Sequence, residues 1–362
     1  MTDIDKEIEE TKEKLKKTPV NKATETERAR LKSKIAKLES QKEKRQKGGG
    51  GGRGYSVKKK GDATVSLVGL PSTGKSTLLN KLTNADSEVG SYEFTTLDVV
   101  PGIMKYKGAQ IQILDVPGLI GGAAEGKGRG KEVLAVVRNS DMVVILLNQE
   151  DLEDLKKMEK ELYDAGLRLN TEEPNMEIMK RTSGGIEISS IVDLELEEET
   201  LKEILREHGY INCRVIIREE VDLDKFIDGI MENRVYLPSI TVMNKVDNLD
   251  SDELKNLKEE HPEFVFISAK EEENLKELRE KIWNKLEIMR VYMKRRGKEA
   301  DKEEPLIIQK SSTIQEVCEK IHDNFKKNLD YARIWGPSSK FPGQRVGEDH
   351  VLKDEDVLEL HF

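Results

Sequence analysis

The sequence predicts an α/β fold: a mostly parallel sheet covered by helices, interrupted by one large insertion and flanked by a helical hairpin and a small β-rich module. Three observations carry that expectation. Short apolar runs, TVSLVG, IQILDV, MVVILLN, SITVMN and FVFIS, alternate with helical stretches. A glycine-rich turn, Gly69 to Ser76, joins the first run to a helix. The run ending at Asn148 and the one starting at Ser239 lie about 90 residues apart, where one crossover needs about 30.

Taken in order, residues 3–17 and 23–46 are rich in Lys, Glu and Ala, with apolar positions at Ile4, Ile8 and Leu15, then Leu31, Ile35 and Leu38. The break at Thr18, Pro19, Val20 and Asn21 reads as the turn of a hairpin filling residues 1–47. Gly48 to Gly52 opens a Gly/Lys-rich linker, 48–60, because consecutive glycines hold regular structure poorly. The main domain then occupies 61–170 and 238–290. Between its halves, 171–237 has its own strands (GIEIS, CRVIIR) and helices (EEETLKEILREHG, LDKFIDGIMEN), enough for an inserted α+β subdomain. A helix from Glu272 to Met289 and a charged joint, MKRRGKEADKEE, lead to PLIIQK, TIQEVCEKIHDNF, YARIWG and VLELHF. That order suggests a β-grasp-like module over 291–362.

The chain has 362 residues and a formal net charge of −9, unevenly spread. Residues 1–60 hold 19 Lys/Arg against 10 Asp/Glu, leaving −18 for the remainder. A basic arm on an acidic body suggests a polyanionic partner, RNA first, because attraction to phosphates follows local charge. A solvated helical hairpin is the plainer alternative. The longest apolar stretch, Met142 to Leu147, is far short of the roughly 20 residues a membrane helix needs. The MTDIDKEIEE start lacks the apolar core of a secretory signal, so the expected location is the cytoplasm and no membrane partner is expected. Cys213 and Cys318, without a CxxC or Cys/His cluster, argue against a disulfide framework or zinc site.

GLPSTGKS, Gly69 to Ser76, matches a phosphate-binding loop directly after a strand and before a helix. Backbone N–H groups must close around phosphate oxygens, which favours glycine, and the helix terminus adds a favourable dipole. Candidate phosphate residues are Gly69, Pro71, Ser72, Thr73, Gly74, Lys75, Ser76 and Thr77. Lys75 is expected to reach the β- and γ-phosphates and Ser76 to give its hydroxyl to Mg²⁺. In DVPG, Asp115 is expected to hold Mg²⁺ through water, and Gly118 to face its N–H to the γ-phosphate. Between them, YEFTTL offers Thr95 and Thr96 as a loop threonine that completes the metal shell. NKVD follows the SITVM strand. An ionised carboxylate at Asp247 accepts from guanine N1–H and the exocyclic amine, whereas adenine has no N1 proton. Asn244 supports the loop and base, Lys245 packs over the ring, and in Ser268-Ala269-Lys270 the Ala269 N–H is expected at the guanine carbonyl. GTP and GDP are the expected ligands.

With these residues, YEFTTLDVVPG and DVPGLIGGAAEGKGRGKEVLAVVRNSD in hand, the chain resembles the Obg-related translation-factor GTPases, specifically the developmentally regulated GTP-binding proteins, in an archaeal-type version. The resemblance implies a phosphate-loop GTPase domain and an insert similar to part of a small-subunit ribosomal protein. It also implies a carboxyl-terminal TGS module, ribosome association in translation through the basic arm and that module, and a partner protein that stabilises or stimulates the enzyme. It selects Thr96 over Thr95 and makes Lys75, Thr96 and Gly118 the catalytic set. Leu119 stands where Ras-like enzymes place the water-orienting glutamine, so slow intrinsic hydrolysis is expected. Orientation then falls to Gly121–Gly130, with Glu125 a candidate, to a partner, or to K⁺. Related enzymes commonly hold K⁺ by a loop asparagine, whose place here is Ser72. In the TGS module, Trp335, Lys340, Phe341 and Arg345 are candidate surface contacts, with Trp335 as core filler the alternative. Two other readings stand: a nucleotide-gated RNA- or protein-binding scaffold with incidental turnover, and an ATP-binding relative, against which Asp247 speaks.

Overall fold

The computed structural model describes residues 3–21, 24–48, 59–83, 99–117, 130–231, 233–321 and 329–362. Thr95, Thr96, Gly118, Leu119, Glu125 and nearly all of the linker and of Gly121–Gly130 lie outside the described residues.

Helices α1 (Asp3–Lys17) and α2 (Glu25–Gly48) open the chain. The main sheet begins with β1 (Ala63–Gly69), α3 (Lys75–Leu82), β2 (Val100–Tyr106), β3 (Ala109–Asp115), α4 (Gly130–Arg138), β4 (Met142–Leu147) and α5 (Leu152–Asp164). The insertion follows: β5 (Leu167–Leu169), β6 (Met176–Lys180), β7 (Ile186–Ser190), α6 (Glu198–Glu207), β8 (Cys213–Ile217), α7 (Leu223–Ile230) and β9 (Val235–Leu237). The main sheet resumes with β10 (Ser239–Met243), α8 (Ser251–Glu260), β11 (Val265–Phe266) and α9 (Leu275–Lys285). Last come β12 (Ile288–Met293), β13 (Leu306–Gln309), α10 (Ile314–Ile321), β14 (Tyr331–Trp335), β15 (Gln344–Val346) and β16 (Asp356–His361).

Two compact units result. In the larger, residues 55–165 and 237–362, the main sheet runs β11-β10-β4-β1-β3-β2. All its pairings are parallel except β2 with β3. β1 and β4 are buried at every position, which is why they read as unbroken apolar runs. β2 was not legible as a strand, since it carries Pro101 and Gly102. An edge position tolerates a proline that a central one does not.

The same unit carries the carboxyl-terminal sheet, ordered β13-β12-β16-β14-β15, with α10 packed over it. The helix expected over Glu272–Met289 is shorter. It stops near Lys285 because Glu287 turns left-handed at φ 52°, and Ile288 and Met289 enter β12 instead. Ile288 and Ile307 join the core of the main sheet beside Trp283 and Leu286, so this module is anchored by apolar burial. Arg290 secures the other end of β13–β12, bonding both Asp354 oxygens, Nε to Oδ1 at 3.1 Å and Nη2 to Oδ2 at 2.7 Å.

The smaller unit, residues 1–54 and 166–236, unites the hairpin with the insertion, which the sequence reading kept apart. Ala29 and Ala36 of α2 share a core with Leu201, Ile204 and Leu205 of α6, Val215 of β8 and Phe226 of α7. Small residues there let the helices approach closely. Behind α6 and α7 lies a three-stranded sheet, β6-β8-β7, antiparallel on one side and parallel on the other. Much of the basic charge of the first helices is paired: Lys12 with Glu39, Lys34 with Glu7, Lys42 with Asp5, and Lys32 with Asp224. The local excess therefore gathers toward the linker, and each exposed pair contributes only about 0–1 kcal/mol. No helix among the described residues is long and apolar enough to cross a membrane. Cys213 and Cys318 are buried free thiols.

His208 ends α6, and burial together with nearby Lys37 and Arg234 pushes its pKa down to about 4. The unfolded chain therefore takes up this proton near the usual 6.5 and the folded chain only near 4. Stability is full above about pH 6.5 and falls as pH drops through that window, by about 3 kcal/mol in total. Chemical denaturation at pH 7 and pH 4.5 should show the loss, and His208→Leu should flatten it.

Candidate nucleotide site

Five strand ends converge on the site. At the end of β1, a Cβ on Gly69 would sit 2.3 Å from the Leu146 carbonyl oxygen of β4, so only glycine permits this approach. Gly74 lies at φ 93° and caps α3, and a Cβ there would sit 2.4 Å from the Asn244 amide nitrogen. Ser72 is also left-handed, at φ 66°. Thr73 is buried, and its hydroxyl donates to the Leu70 carbonyl at 2.9 Å, bracing the turn from inside. Pro71 and Thr77 are exposed.

Lys75 Nζ donates to the carbonyls of Gly69 at 3.0 Å and Leu70 at 2.9 Å, spanning its own loop. Burial lowers its pKa, and the carboxylates of Asp115 and Asp151 oppose that shift. The sequence reading passed over Asp151. Its signal was the Asn148-x-x-Asp151 spacing after β4, where Asp151 Oδ2 accepts from the Asn148 N–H at 3.0 Å. Ser76 Oγ donates to Asp115 Oδ2 at 2.6 Å. Because the hydroxyl proton goes to the carboxylate, the oxygen lone pairs stay available, and the two oxygens form a hard donor set that fits Mg²⁺.

Asn244 ties the other motifs together. It is buried, its Nδ2 donates to the Thr73 carbonyl at 2.8 Å, and its Oδ1 accepts from the Ala269 N–H at 2.9 Å. Its backbone N–H donates to Leu147 at the end of β4. This corrects one expectation: in this structure the Ala269 N–H closes the Asn244 clamp and does not stand open toward a base. Lys245 is left-handed at φ 62°, which turns the chain into a short 3₁₀ segment, Val246–Asn248, and leaves Asp247 exposed. Lys270 has its pKa raised first by Glu271 and further by Asp247, so the two base-loop candidates face common space. Ser268 pairs with Glu273 across a tight turn, and Asn274 Nδ2 bonds the Phe266 carbonyl at 2.8 Å. Neither Glu273 nor Asn274 was singled out from sequence, since nothing in their spacing announces the turn.

Asn244→Ala leaves the Thr73 carbonyl and the Ala269 N–H without their partner. It should cost about 2 kcal/mol or more in chemical denaturation and weaken GDP binding measured by titration calorimetry.

Comparison with known proteins follows the same division of the chain. Residues 64–181 match the model of the 50S ribosome-binding GTPase, 183–288 that of the C-terminal region of this GTPase domain, and 289–361 the TGS domain. A GTP-binding protein of Methanocaldococcus jannaschii is 50% identical over 99% of this chain and 92% of its own length. Developmentally-regulated GTP-binding protein 1 of Xenopus laevis is 43% identical over 98% of this chain and 97% of its own. Developmentally-regulated GTP-binding protein 2 of Homo sapiens is 40% identical, covering 98% of both.

Proposed function

The chain belongs to the developmentally regulated GTP-binding proteins and is a GTPase, and from that premise we propose a slow conformational switch that associates with the ribosome and acts in translation in the cytoplasm. The observation that carries this reading is the Asn244 clamp. It holds a phosphate loop and a base loop at a set separation, as recognition of one whole nucleotide requires.

Within that reading, the N–H groups of Gly69–Ser76 and the Lys75 ammonium take the phosphates. Asp247 accepts from the guanine edge, Lys245 lays its stem on the ring, and Asn244, Ser268, Ala269 and Lys270 shape the base loop. Ser76 and Thr96 are the direct Mg²⁺ ligands, with Asp115 reached through water. A bound Mg²⁺ would neutralise charge on the β- and γ-phosphate oxygens. Gly118 offers its N–H to the γ-phosphate, so that nucleotide state reaches the segment 121–130 that follows. Leu119 offers no hydrogen bond to water, so orientation falls to that segment, to Glu125 within it, to a partner protein, or to K⁺ beside Ser72. Leu119 also favours a second reading, a nucleotide-gated scaffold whose turnover is incidental. The ribosome is the proposed partner for the linker-side basic charge and the TGS module.

Lys75→Ala and Ser76→Ala should each lower single-turnover hydrolysis by at least about 100-fold. Asp247→Asn should weaken GTP binding by about 100-fold, having lost a charged acceptor of two hydrogen bonds, and competition by excess ATP should remain negligible in the unaltered protein. Purified ribosomes should accelerate single-turnover hydrolysis, with K⁺ and Na⁺ compared at matched ionic strength. No response to ribosomes or K⁺ would favour the scaffold.

A further inference from the structure

We propose that the open face of the carboxyl-terminal sheet binds single-stranded RNA through the cross-strand arginine pair Arg333 and Arg345. The inference deepens the ribosome-associated reading and rests on it only for the source of the RNA.

Strand alternation sorts this sheet into two faces. Ala332, Ile334 and Leu358 point into the core beneath α10, with Val291 and Val317. Arg333, Arg345 and Glu359 therefore share the opposite face. The register sets Arg333 directly opposite Arg345 on one side and opposite Glu359 on the other. Both arginines are exposed. Like charges directly opposite one another destabilise a sheet unless an anion relieves them. Glu359 is committed elsewhere: it is buried, accepts from Lys294 Nζ at 2.6 Å and bonds His361 Nε2 at 2.8 Å. Among the described residues neither arginine has a carboxylate partner.

The pair is also held in place. The Arg345 guanidinium carbon lies 3.9 Å from the centroid of the Tyr331 ring, and that ring stacks on His361 with centroids 4.3 Å apart. Stacking fixes the plane of the guanidinium and leaves its N–H rim for paired hydrogen bonds to phosphate oxygens. Lys294 Nζ, 4.5 Å from the Trp335 centroid, adds a further cation. The loop joining β14 to β15 carries exposed Lys340 and Phe341, the latter 59% exposed, a ring on which a base can stack. A protein partner would need an apolar centre, from which charged residues are depleted. This face presents cations and aromatic rings around a single partly exposed valine, Val357, and its charge complements a phosphate backbone.

The test is fluorescence anisotropy of the full chain with a labelled single-stranded RNA of about ten nucleotides. Arg333→Gln/Arg345→Gln should bind at least about tenfold more weakly. Its slope of log affinity against log salt should be shallower by about 1.4, the signature of two lost phosphate contacts on a single strand. Phe341→Ala should bind about fivefold more weakly with its slope unchanged. Melting temperature and GDP affinity should match the unaltered chain in all variants. The proposal fails if the unaltered chain does not bind the RNA, if the double variant binds it equally well, or if polyglutamate displaces it as well as unlabelled RNA does. Co-sedimentation with ribosomes, run in parallel, separates the two readings. Arginine-dependent RNA binding without co-sedimentation removes the ribosome and leaves the site. Co-sedimentation with arginine-independent RNA binding does the reverse.

Discussion

The nucleotide site depends on one buried carboxamide. Asn244 offers a donor to Thr73 and an acceptor to Ala269, and only an amide presents both on one planar group at the required span. Aspartate would lose the donor and bury a charge; leucine would lose both bonds and leave a carbonyl and an N–H unsatisfied. In a water-poor pocket such losses are felt almost in full. The glycine at position 74 belongs to the same device, since any side chain there would occupy the space of the amide nitrogen. Phosphate loop and base loop are thus held as one rigid piece.

The parallel sheet makes that bridge possible. In β1, β4, β10 and β11 every strand ends on the same side, so four loops distant in sequence meet without long excursions. Apolar burial sets the position of the strand ends, and the short polar contacts refine it. Lys75 shows the balance of effects. Burial alone would disfavour its charge, and Asp115 and Asp151 restore the bias toward the ammonium form. The rest of the chain follows the same order of causes: Ile288 and Ile307 seat the carboxyl-terminal module by area, and Arg290 fixes its orientation by paired hydrogen bonds.

The first helices show why composition is an unreliable guide to partners. Their lysines read as a basic arm, yet several face carboxylates of the facing helix or of α7, where their fields largely cancel. The unpaired arginines of β14 and β15 carry a clearer signal although they stand in an acidic part of the chain. Local geometry, more than net charge, separates a cation that waits for an anion from one that already has it.

The sequence by itself determined the strand-loop-helix order and the residues of the phosphate and base loops. Glycine at a close approach, an acid at a strand end and a lysine after a glycine are demands of local backbone chemistry, legible one motif at a time. Tertiary structure decided what depends on two distant segments at once. It gave the Ala269 N–H to Asn244, brought Asp151 within reach of Lys75, made Val100–Tyr106 an edge strand despite its proline, and joined α2 to α6 and α7 through Ala29 and Ala36. A contact between segments some 25 to 170 residues apart leaves no periodicity in either one, because each residue satisfies its own local rules whether or not the partner is there.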